Sequence, residues 1–154
     1  MASKKKKPIP DDLLLQVFKE IFTVQGHPRL IVLVGNGFLE VLVNILVREK
    51  LKNGLKIQND SRTYTYAVRL LMLHEAGIIT DKEFRMLDWY RDIRNRAAHE
   101  PIFNVTIDDF KALNNSNYTT PDSLFDLTTV LMGAIWNKHH KLFSPLFGVI
   151  PKKP

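Results

Sequence analysis

The residues best suited to chemistry lie together in one stretch, Trp89-Tyr90-Arg91-Asp92-Ile93-Arg94-Asn95-Arg96-Ala97-Ala98-His99-Glu100. On a helix, Arg91, Asn95 and His99 are each four apart and share a face, with Arg94 and Ala98 alongside. Imidazole moves protons near neutral pH, and a guanidinium holds a phosphate through a bidentate bond. Together they suit phosphodiester cleavage. Ala97 and Ala98 leave the approach to His99 unobstructed, and their small size lets a second helix pack close.

Other chemistries find less support. The chain has no cysteine, which removes disulfides, thiolate metal sites and thiol nucleophiles. His139 and His140 are adjacent, so on a helix they point about 100° apart and do not chelate one metal as an i, i+4 pair does. They read as surface histidines beside Lys138 and Lys141, and His74 as a packed or capping histidine. Trp89, Tyr90 and Trp136 fall at core-like helical spacing. No cofactor site and no metal site is expected. Gly35-Asn36-Gly37 after the β-rich run Leu30 to Val34 lacks the third glycine of a dinucleotide-binding turn, since position 40 is Glu. Close packing of a helix against its neighbours is the simpler account of these glycines.

Charge first suggests a nucleic-acid coat. The 154 residues carry 22 Lys and Arg against 16 Asp and Glu, a formal net charge of +6. Six of the bases, Lys4 to Lys7 with Lys152 and Lys153, lie in the two ends, and residues 8 to 151 are neutral by count. Coating a duplex needs many cations on one face to displace counterions. Phosphate chemistry here must therefore rest on a local cluster. Residues 1–9 read as a disordered basic arm, 10–145 as one helical domain and 146–154 as a C-terminal tail. Pro8, Pro10, Asp11 and Asp12 stand where a signal peptide needs its apolar region, so a cytoplasmic location is expected.

The elements that must position the cluster all read as helices. Asp11 or Asp12 caps a first helix bearing Leu14, Phe18, Ile21 and Phe22, which Gly26 and Pro28 end. Leu30 to Val47 is almost continuously apolar and touches the lower length limit for a membrane span. Asn36, Glu40 and Asn44 are spaced by four and Arg48 continues the row, forming a polar ridge that drifts about 40° per step. A buried helix with a polar seam fits better than a lipid-facing one, and no membrane partner is expected. Asp60 or Ser61 caps the next helix, through Tyr66, Leu70, Leu73 and His74, and Gly77 stands where a left-handed terminating residue is wanted. Thr80-Asp81-Lys82-Glu83 has the capping-box form and opens a helix of about 19 residues, closed by Pro101. A second box, Thr106-Ile107-Asp108-Asp109, starts a short piece through Leu113. Thr120 as cap and Pro121 in the first turn open a last helix through Leu127, Leu131, Ile135 and Leu142. The fold class is all-α, an antiparallel bundle of four to five helices.

Arg94-Asn95-Arg96-Ala97-Ala98-His99 has the R-N-x-x-x-H form and resembles the motif of the HEPN superfamily of four- to five-helix proteins. The stretch Gly77-Ile78-Ile79-Thr80 through His99, and Phe38-Leu39-Glu40-Val41-Leu42 in the apolar helix, look like the mannitol operon repressor branch of that superfamily. The resemblance covers about residues 30 to 100. It implies a HEPN-like dimeric, metal-independent endoribonuclease, a toxin or defence component, in which each protomer of a homodimer gives its Arg and His to one cleft. Residue by residue, Arg94 holds the phosphate, His99 is the general acid or base, and Asn95 orients them. Glu40 on the polar ridge supports the site by bonding Arg94 or His99, and Glu100 supports His99. Arg91 and Arg96 steer the RNA backbone by charge, although Asp92 and Glu100, each four from Arg96, can neutralise it. The implied partners are RNA and an antitoxin or regulatory protein. The alternative is a non-catalytic mannitol-repressor-like transcriptional regulator or protein-interaction module, where the same polar row satisfies itself at a dimer seam. No helix-turn-helix is identifiable, which disfavours direct sequence-specific DNA reading.

Overall fold

A computed structural model describes residues 13–146; the lysine runs and the Asp11 or Asp12 cap lie outside the described residues. Five longer helices build the body: α1 (Leu13–Thr23), α2 (Pro28–Lys50), α4 (Tyr66–Glu75), α5 (Asp81–His99) and α7 (Leu124–Lys138). Short helices α3 (Gly54–Asn59), α6 (Ile107–Leu113) and α8 (His140–Leu146) fold the connections, and no strand occurs among the described residues. The expected all-α bundle is what forms.

α2 is the hub. It packs against α1, α3, α4, α5 and α7, which explains its nearly unbroken apolar sequence. By length and composition it is apolar enough to cross a membrane, but most of its apolar stretch is buried inside the bundle. Leu39, Leu42, Val43, Leu46 and Val47 are essentially inaccessible, and each such side chain contributes about 1.5–3 kcal/mol by leaving water. Pro28 occupies the first turn of α2, where its missing N–H costs nothing. At Gly35, α2 packs directly against α5 and α7. A Cβ built there would lie 2.5 Å from the Tyr90 hydroxyl and 2.6 Å from Thr128 Cγ2.

α5 is fixed at both ends. At its start, Thr80 Oγ1 accepts from the Glu83 amide at 3.2 Å while Glu83 Oε2 accepts from the Thr80 amide at 2.7 Å, the reciprocal box expected from sequence. Lys138 on α7 donates to the same carboxylate oxygen at 2.7 Å. Gly77 takes the left-handed conformation, φ +69°. Within the helix, Trp89 and Tyr90 face the core: Trp89 Nε1 donates to the Asp109 carbonyl at 2.7 Å, and the Tyr90 hydroxyl donates to the Ile31 carbonyl at 3.3 Å. At the far end, Arg29 from the first turn of α2 donates to the carbonyls of Glu100 at 2.7 Å and Pro101 at 3.2 Å. A cation there also complements the negative end of the helix dipole.

Several local expectations differ. The cap of α4 is Thr65, whose hydroxyl accepts from the Val68 amide, whereas Asp60 closes α3 and accepts from the Thr63 amide at 3.0 Å. α3 itself has no counterpart in the sequence pattern, because six residues carry too little periodicity to register. Thr120 makes no side-chain cap; Pro121–Ser123 forms a 3₁₀ turn and α7 begins at Leu124. The last helix is interrupted at His139, leaving α8 separate. His139 is half-buried against Phe143, with ring centroids 6.1 Å apart, rather than a surface residue.

Candidate functional site

The polar ridge of α2 faces α4 and α5. Asn44 accepts from Arg69 of α4 at 2.6 Å, and Arg69, only 6% exposed, also donates to the carbonyls of Ile57 and Gln58 at the C-terminal end of α3. One turn earlier on α2, the ridge opens into a groove of about 250 Å³ lined by Asn36, Glu40, Tyr66, Arg91, Arg94 and Asn95. Two helices, α2 and α5, therefore bring together five residues of the two sequence features, the ridge and the arginine cluster, and α4 adds Tyr66.

Their electrostatics differ sharply from one arginine to the next. Arg91 is held by two carboxylates, Asp88 at 3.0 Å and Asp92 at 2.9 Å. Arg96 leaves the cluster altogether. It donates to Asp109 at 2.6 Å, to Glu100 at 3.3 Å and to the Asn104 carbonyl at 2.9 Å, and its guanidinium lies 5.9 Å from the centre of the Phe103 ring. Among the described residues, Arg94 contacts no carboxylate. Its hydrogen-bond partner is the neighbouring Asn95 Oδ1, at 3.4 Å. Of the three arginines, Arg94 alone keeps its charge available, half-buried on the groove wall.

His99 is the final residue of α5 and is exposed, as is Ala98 beside it. Its side chain makes no hydrogen bond among the described residues and does not line the groove, so Arg94 and Asn95 stand inside it and His99 beyond its edge. Ala97 turns into the core at 2% exposure. Glu100 is committed to Arg96 through its carboxylate and to Arg29 through its carbonyl. Glu40 shares the groove with Arg94, yet no ion pair or hydrogen bond joins it to Arg94 or His99 among the described residues.

Tyr66, with its neighbours Thr65 and Ala67, lines the groove without any signal in the sequence. It stands in the first turn of α4, and burial pushes its hydroxyl pKa up, with Glu40 adding to the rise and Arg91 opposing it. Its nearness to both walls is a tertiary fact with no local signal. Asn36 is legible in the sequence only as a ridge position; it is 4% exposed and makes no hydrogen bond among the described residues. His74, by contrast, is structural: it bonds Asp81 at 2.6 Å and stacks on Phe84 at 4.6 Å between ring centroids. Among the described residues, no group of three or more His, Asp or Glu is placed to hold a metal ion.

Comparison with protein-family models, with curated proteins and with solved structures finds no match to this chain.

Proposed function

We propose that this protein is a metal-independent endoribonuclease of the HEPN kind, working as a homodimer. The observation that carries the reading is the guanidinium of Arg94, which has no carboxylate partner among the described residues, on the same helix as an exposed His99 that has no side-chain partner among them, while the neighbouring Arg91 and Arg96 are spent on carboxylates. Arg94 binds the phosphate and stabilises its developing charge. Asn95 holds Arg94. One His99 takes the proton from a ribose 2′-hydroxyl, whose oxygen bonds to phosphorus. The bond from phosphorus to the 5′-oxygen breaks, and the His99 of the second copy returns a proton to that oxygen. The products are a cyclic phosphate and a 5′-hydroxyl. The exposed Ala98 gives the second copy room to approach.

The test is cleavage of structured RNA by purified protein in EDTA. Activity should vanish in both Arg94→Ala and His99→Ala with the fold intact. No cleavage at micromolar dimer overturns the reading, and so does a monomer in light scattering, which removes the two-copy cleft.

One observation favours a second reading, a non-catalytic interaction module of the mannitol-repressor kind. Ile102, three residues beyond His99, is 81% exposed, an apolar knob suited to protein contact beside the same helix end. A folded dimer that cuts nothing in the same assay supports it.

A further inference from the structure

The groove contains two groups that phosphate binding does not use. Asn36 is nearly inaccessible and Glu40 half-buried, both line the cavity, and neither has a hydrogen-bond or ion-pair partner among the described residues. Their polar atoms open onto the groove, so a group entering it meets an amide and a carboxylate whose hydrogen-bonding capacity the described residues leave unused. An anion alone is repelled by Glu40, and a cation alone by Arg94 opposite. What fits both walls is a neutral group rich in donors, attached to a phosphate.

The volume narrows this further. About 250 Å³ lies below the roughly 300–1,000 Å³ of sites for drug-sized ligands, room in which one nucleobase fits. Among the neutral RNA bases, guanine presents two adjacent donors, N1–H and the N2 amine, matching the two oxygens of a carboxylate. Adenine and cytosine each place a ring acceptor beside their single amine, and uracil flanks its one N–H with carbonyls, so each sets a lone pair against Glu40. The Asn36 amide has a donor to spare for a guanine acceptor. Arg91, braced by Asp88 and Asp92, adds a fixed guanidinium wall of the kind on which unstacked bases rest.

We propose that this groove is a guanine-reading subsite, with Glu40 accepting from N1–H and the N2 amine, so that the substrate is RNA with an unpaired guanine next to the phosphate held by Arg94. The proposal rests on the ribonuclease reading for that phosphate contact. It is tested by calorimetric titration of the full chain with the 3′-monophosphates of guanosine, inosine, adenosine, cytidine and uridine. The guanosine nucleotide should bind about ten-fold tighter than the others, a typical discrimination for a bidentate contact. Inosine lacks the N2 amine and should fall with the weaker group. Glu40→Gln, with an unchanged melting temperature, should level guanosine with inosine while retaining phosphate-dependent affinity. Equal affinities across the nucleotides in the unaltered chain, no binding of any of them, or a guanosine preference that survives Glu40→Gln overturns the proposal. None of these readouts involves cleavage. A chain that prefers guanosine yet cuts no RNA would overturn the ribonuclease reading and keep the subsite, and a chain that cuts RNA without the preference would do the reverse.

Discussion

Arg96 Nη1 stands 2.6 Å from Asp109 Oδ1, tying the last turn of α5 to the first turn of α6. The same Asp109 carboxylate accepts the Thr106 amide at 2.7 Å in the second capping box, and the Asp109 carbonyl accepts from Trp89. This junction removes Arg96 from the candidate site and anchors the segment after His99. Arg96→Ala should therefore cost about 1–2 kcal/mol of stability, discounted for partial exposure. Asp109→Ala, which loses the cap as well, should cost about 2–3 kcal/mol. Chemical denaturation measures both, and an Arg96→Ala chain as stable as the parent would show that the junction holds little.

Gly35 should tolerate no side chain. Its absent Cβ leaves room for the Tyr90 hydroxyl and Thr128 Cγ2 in a core region without slack, and overpacking of this kind costs about 1–3 kcal/mol. Gly35→Ala should lower the melting temperature, and part of that loss should be recovered when Tyr90→Phe is added, because removing the hydroxyl removes the nearer obstacle. A double-mutant cycle with no coupling would contradict the packing described.

Arg69 carries a buried charge that, among the described residues, meets no carboxylate, only Asn44 and two carbonyls at the end of α3. Arg69→Ala strands those acceptors and opens space, at a cost of about 3 kcal/mol. Hydrogen exchange should show α3 losing protection before α5 does.

Acid should destabilise the fold through the start of α5. Burial raises the Glu83 pKa, but hydrogen bonds from Lys138 and the Thr80 amide outweigh it and leave the carboxyl below its ordinary 4.5. Asp81 is held below 3.8 by the hydrogen bond and charge of His74. Both folded pKa values are depressed, so their stabilisation is complete above the unfolded values and is lost as pH falls through the folded ones. Glu83→Gln should flatten the stability profile below pH 4.5.

His139 acts in a higher range. Burial first and then Lys138 press its pKa below 6.5, against an upward pull from Glu83, with Lys50 adding least to the lowering. The neutral ring is favoured in the fold, so stability is full above pH 6.5 and declines as the pH drops below it, because the unfolded chain binds the proton more readily. His139→Gln should remove that part of the slope in a series of melts between about pH 7 and 5. An unchanged slope would place the titration elsewhere.

Features that depend on neighbours three or four residues away are legible in the amino-acid sequence. Both capping boxes, the left-handed Gly77, the full extent of α5 and the polar ridge of α2 follow from spacing alone, since their partners lie within one turn. Those signals weaken where an element is short or where its partner is remote. α3 and the Thr65 cap escape a reading of the sequence because six residues and one threonine compete with equally good local alternatives, Asp60 and Ser61. The break at His139 is invisible there because the apolar spacing continues through Leu142.

By itself, then, the sequence determined an all-helical chain and a row of Arg, Asn and His on one helix, because helical periodicity converts spacing into a shared face. Tertiary structure alone decided which arginine is free. Asp109, thirteen residues from Arg96, captures that guanidinium, Asp88 and Asp92 hold Arg91, and α2 and α4 bring Asn36, Glu40 and Tyr66 to the side of Arg94. Charge pairing is a matter of distance in space. Two arginines that look alike in a sequence become a structural strut and a guanidinium without a carboxylate partner among the described residues once the helices pack.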